Sequence, residues 1–102
     1  MRKLLLTSAI LISAASSAFA VEVTQADQQF SQESVTLKAG DSITFTNKDT
    51  VTHNIKVLAG DDAEDKGLQK PGEVITQKFD KPGTYQVRCN IHPKMKMDVT
   101  VQ

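Results

Sequence analysis

Residues 85–97, YQVRCNIHPKMKM, hold the only cysteine of the 102-residue chain, one of its two histidines and two of its three methionines. Cys89, His92 and Met95 follow one another at intervals of three, and Met97 lies two further on. A thiolate, an imidazole and a thioether form a soft donor set. Sulfur ligands select copper(I), zinc or iron–sulfur chemistry, and imidazole suits copper and zinc. A spacing of three lets a tight loop turn successive side chains toward one centre, and Pro93 lowers the entropy cost of ordering that loop.

Such a set needs one more strong donor, and the other histidine, His53, is the candidate. Two imidazoles, one thiolate and one weakly held thioether make a trigonal copper site with a long axial bond, the geometry used for electron transfer. Copper(II) prefers tetragonal nitrogen and oxygen donors, whereas copper(I) prefers few donors and sulfur. A site held between the two changes little when an electron arrives. On these residues alone the thioether is Met95 or Met97. A structural zinc site fits less well, because zinc takes four strong donors. A metal-delivery protein is the other reading, yet no His-rich or Met-rich exchange tract is present.

The elements that must carry these donors read as strands. In SVTLKAGDSITFTN, Val35 and Leu37 share one parity, Gly40-Asp41 makes a break, and Ile43 and Phe45 share the next, which predicts a hairpin. His53, Ile55 and Val57 fall on one parity, as do Ile75, Gln77 and Phe79. Past the Pro82-Gly83 turn, Tyr85, Val87 and Cys89 alternate with Thr84, Gln86 and Arg88, and the tail adds Met97, Val99 and Val101. The alternation places His53 and Cys89 on inward faces at strand ends. Met97 shares the parity of Val99 and Val101 and so reads as core. Residues 59–72 are polar and Gly-rich and are expected to be mostly loop, with at most a helical turn at 62–66. Asp61, Asp62, Glu64 and Asp65 within them are expected to be a solvated face. Several short strands with close turns predict a single small all-β domain, an antiparallel β-sandwich.

The N-terminal residues MRKLLLTSAILISAASSAFA combine two cations, an apolar run and a small-x-small ending, which predicts a signal peptide over 1–20 and a mature domain over 21–102. The apolar run is shorter than the roughly 20 residues of a membrane span, so no membrane insertion is expected after cleavage. Export makes an unpaired cysteine notable, since exported cysteines usually pair. Balanced charge, with twelve acidic and twelve basic residues, gives no footprint for nucleic acid.

With His53-Asn54, GTYQVRC and CNIHPKM together, the chain resembles the cupredoxins, the small type 1 blue copper proteins. It is most similar to the group holding amicyanin, plastocyanin and pseudoazurin. The stretch VTLKAGDSITFTNKDTVTHNI resembles the corresponding strands of plastocyanin, and the short loop from Cys89 to Met95 resembles that of amicyanin. The resemblance spans about residues 30–102. It implies a Greek-key β-sandwich, one type 1 copper ion, and His53, Cys89, His92 and a methionine as ligands. Matching the DVTVQ tail to the family's last strand puts the axial methionine at Met95. It also implies that Asn54 ties the two ligand-bearing loops together and that Tyr85 forms a tyrosine corner. In function it implies a periplasmic electron carrier rather than an enzyme, a monomer whose transient redox partners dock at the His92 end.

Overall fold

The computed structural model describes residues 18–102. Nine strands and no helix are found among these residues: β1 Ala20–Ala26, β2 Gln29–Phe30, β3 Ser34–Leu37, β4 Asp41–Asn47, β5 His53–Ala59, β6 Asp62–Gln69, β7 Val74–Phe79, β8 Gly83–Arg88 and β9 Lys96–Val101. They form two sheets, one in the order β2-β1-β4-β7 and one in the order β3-β9-β8-β5-β6. Alternate residues of each strand turn inward and meet between the sheets. Val23, Ile43 and Phe45 of the first sheet and Ile55, Val87 and Val99 of the second have no exposed surface. Burying such a side chain contributes about 1.5–3 kcal/mol. The predicted β-sandwich and its inward faces are therefore present, and the parities assigned to β5, β7, β8 and β9 are those observed.

Three expectations are corrected. Residues 35–45 do not make a hairpin: β3 pairs with β9 and β4 with β1 and β7, so the chain crosses between sheets at residues 38–40. Gly40, at φ 99°, supplies the left-handed residue of that crossing. Secondly, the pairing is not purely antiparallel, since β1 runs parallel to β4 and β3 parallel to β9. Thirdly, residues 62–69 are a strand and not a loop. Strand β6 is the outer strand of its sheet. It has little apolar surface to bury, and acidic side chains on an edge discourage pairing with another chain.

Strand β1, which carries the alternation Val21, Val23, Gln25, and the short β2 that pairs with it belong to the fold as well. Their connection places Asp27 and Gln28 at φ 53° and 56°. That conformation costs non-glycine residues about 1 kcal/mol each. A hydrogen bond from the Gln28 N–H to Asp49 Oδ2, at 2.8 Å, helps to hold it. The expected signal segment lies almost wholly outside the described residues; of it, residues 18–20 are described, and Ala20 opens β1.

The expected tyrosine corner is present: the Tyr85 hydroxyl donates to the Lys81 carbonyl at 2.6 Å, and its ring packs edge-on against Phe79. It fixes the entry of β8, whose far end leads into Cys89.

Candidate metal centre

His53 is the first residue of β5 and Cys89 directly follows β8; these strands are neighbours in the five-stranded sheet. The loop over residues 89–95 closes on itself through the Met95 N–H to His92 carbonyl bond, 2.9 Å, and the Cys89 N–H to Met95 carbonyl bond, 3.2 Å. This closure turns the interval of three into convergence. His53 Nδ1 and His92 Nδ1 stand 3.0 Å apart, and each is 3.7 Å from Cys89 Sγ. Triangle edges of this length arise when bonds of about 2.0 Å to nitrogen and 2.3 Å to sulfur, the lengths these donors make to a first-row dication such as zinc, meet at one atom. One imidazole edge packs against the other ring, with centroids 4.7 Å apart.

Burial grades the donors. His53 has no exposed surface, Cys89 and Met95 are about 1% exposed, and His92 alone is half-buried. The two methionines divide as the parity suggested. Met97 lies opposite Val87 and packs into the central apolar cluster. Met95 is equally buried but stands outside that cluster, at the end of the sandwich that carries the three donors.

The far nitrogen of each buried ligand needs a partner, and His53 has one that the sequence did not reveal. His53 Nε2 lies 2.9 Å from Asp49 Oδ2. The Gln28 N–H first, then His53, hold the Asp49 carboxyl below its usual range, against a smaller opposing effect of burial. An ionised carboxylate only accepts, so the proton of His53 resides on Nε2, and Nδ1 keeps its lone pair for the centre. Asn47 shapes the loop that bears Asp49: its Oδ1 accepts from the Asp49 N–H at 2.8 Å, and its Nδ2 donates to the carbonyls of Val51 and Gln69, both at 2.9 Å. The one sequence signal for Asp49 is an acid four residues before a ligand-type histidine.

Asn54 holds the place expected of it. Its N–H points at Cys89 Sγ from 3.4 Å, and its Oδ1 accepts the backbone N–H of Asn90. That N–H and the Asn90 contact tie the start of β5 to the loop that begins at Cys89. The donor set, its convergence and its screened interior fit a single copper ion bound by nitrogen and sulfur.

Comparison with known proteins agrees. The sequence profile of "Copper binding proteins, plastocyanin/azurin family" matches residues 17–102. Amicyanin-alpha of Methylorubrum extorquens is 35% identical over 85 residues, covering 79% of this chain and 71% of that protein. Plastocyanin of Scenedesmus fuscus is 39% identical over 84 residues, covering 72% and 86%. The crystal structure of amicyanin from Paracoccus versutus superposes with a TM-score of 0.75 at 27% identity, over 81% of each chain. The converging soft donors at the end of a two-sheet sandwich and these similarities lead to one assignment: the chain belongs to the plastocyanin/azurin family of cupredoxins and binds one type 1 copper ion.

Proposed function

We propose that this protein is a periplasmic electron carrier in which His53 Nδ1, Cys89 Sγ, His92 Nδ1 and the Met95 thioether hold the copper. The carrying observation is the triangle of His53, Cys89 and His92 donors, all within 4.8 Å of one another. The copper supplies one-electron redox chemistry between Cu(II) and Cu(I). The protein supplies a fixed donor frame, so that little nuclear rearrangement accompanies the electron. Asp49 anchors the buried His53, the closed 89–95 loop anchors Cys89 and His92, and the β-sandwich excludes water from three of the four donors.

His92 is the donor that approaches the surface, and Ile91 and Pro93 beside it are exposed. An electron enters or leaves there, during a brief encounter at the small end of the interface range. Lys94 and Lys96, both exposed, give that end a positive margin suited to an acidic partner. No substrate is transformed. Residues 1–20 direct export and are removed, and residues 21–102 function as a monomer.

The test is reversible cycling. The mature chain with one equivalent of copper(II) is expected to show an intense absorption toward the red, to bleach with ascorbate and to recover on reoxidation without losing metal. Copper that leaves within minutes of reduction would assign metal delivery instead.

Asp49 gives a second measurement. D49N keeps an acceptor for His53 Nε2 but removes the charge that makes the imidazole a stronger donor. Copper affinity is expected to fall about 10- to 100-fold in chelator competition, the usual result of disturbing a partner of a metal-binding histidine. The reduction potential is expected to rise, since Cu(II) gains more than Cu(I) from a strong nitrogen donor. An unchanged affinity would remove Asp49 from the site.

A further inference from the structure

The geometry points to Asp65, on the exposed edge strand, as the residue that positions the copper thiolate loop, acting through Asn54. Asp65 does not share the purely solvated character expected of the acidic run around it. Its Oδ1 accepts from Asn54 Nδ2 at 3.0 Å and from the Gly67 N–H at 2.8 Å, and its Oδ2 lies 3.3 Å from Asn90 Nδ2. A bulge aims it there. Asn54 pairs with Leu68 and Lys56 with Asp65, so Lys66 and Gly67 together face the single Ile55, with Gly67 at φ 98°.

The chemistry of the carboxamide makes the contact directional. A side-chain amide has a donor end and an acceptor end that differ little in shape. Asn54 is 3% exposed, so water cannot orient it. A carboxylate accepts only, and so it draws Nδ2 toward β6 and leaves Oδ1 facing the Asn90 N–H. Turned the other way, the amide would set oxygen against carboxylate and NH2 against N–H. Asp65 thereby selects the orientation that pins the residue after Cys89, and Asn90 is held a second time through its own side chain. One surface acid thus steadies the loop that starts at the thiolate, without touching a metal-binding group.

The role in tuning copper presupposes the ligand set proposed above; the amide measurement in the copper-free protein does not. In that protein, hydrogen exchange of the Asn90 backbone amide is expected to speed up about fivefold to tenfold in D65A, the loss of one net hydrogen bond. D65N, whose oxygen still accepts from Asn54 and Gly67, is expected to restore slow exchange. D62N removes the same charge from the same strand and should leave the rate unchanged. Loaded with copper, D65A is expected to shift the thiolate absorption and to lose about tenfold in copper affinity, while D62N does neither. Should D65A not fold, D65S gives the same readouts, because its hydroxyl can cap Gly67 but falls short of the two asparagines. Unchanged Asn90 exchange in D65A, or an absorption shift equal in D62N, would overturn the assignment. A wild-type protein with no thiolate band would fail the copper reading and leave the exchange result to decide Asp65.

Discussion

Replacing Cys89 with serine is expected to abolish the intense red absorption of the copper-loaded protein completely and to leave the sandwich folded. The absorption needs a filled sulfur orbital to give an electron to copper(II), and no other thiolate exists in the chain, whose cysteine count is one. Serine cannot replace it, because a hydroxyl does not ionise in the range where a thiol of ordinary pKa near 8.5 does once a metal competes for the proton. Copper affinity is expected to drop by more than the roughly 100-fold that disturbing a ligand's partner can cost. The fold has little reason to respond. Cys89 stands outside the central apolar cluster, its backbone N–H still closes the loop on the Met95 carbonyl, and a serine oxygen can still accept from the Asn54 N–H. Visible absorption read beside far-ultraviolet circular dichroism checks both halves. A surviving band would mean that another group binds the copper.

The site was largely legible because its donors sit where local rules are strong. Cys89 directly follows a strand with clean alternation from Tyr85, and His53 opens one that alternates through Val57, so parity alone turned both inward. The intervals of three in the loop needed only a backbone closure to converge. What stayed hidden depends on partners distant in sequence. Nothing near residue 65 says that its carboxylate meets Asn54 and Asn90, and the four-residue spacing of Asp49 to His53 says nothing of Gln28, the partner that holds the same carboxylate from 21 residues away. Strand β6 was missed for a different reason: it is an edge strand exposed on both faces over most of its length, so it has no apolar period to read. Gln25 conceals β1 in the same way. It takes an inward position that an apolar residue would normally mark, and is fully buried because its Nε2 donates to Gln69 Oε1 at 2.6 Å. The hairpin expected over residues 35–45 failed because a Gly-Asp break marks a turn without saying which sheet receives the next strand.

On the ligand set proposed above, the two methionines separate binding from packing, and their variants should fail in opposite ways. Met97 is 1% exposed, pairs with Val87 across β8 and β9 and belongs to the central cluster. Met97→Ala is expected to destabilise the copper-free protein by about 2–5 kcal/mol, the range for emptying a buried methionine site. Its copper absorption, measured where the protein remains folded, should stay near that of the wild type. Met95 is just as buried but contributes nothing to that cluster, so its burial serves the donor end of the molecule. Met95→Leu conserves volume and is expected to cost less than about 1.5 kcal/mol, while its absorption spectrum changes and its reduction potential rises. The rise follows from charge: a lost thioether takes electron density from both oxidation states, and Cu(II) depends on it more. Denaturant midpoints of the copper-free variants and potentials of the loaded ones give the two readouts. If Met97→Leu moved the potential and Met95→Leu did not, the axial donor would be Met97 and the 89–95 loop would close around a site of different depth.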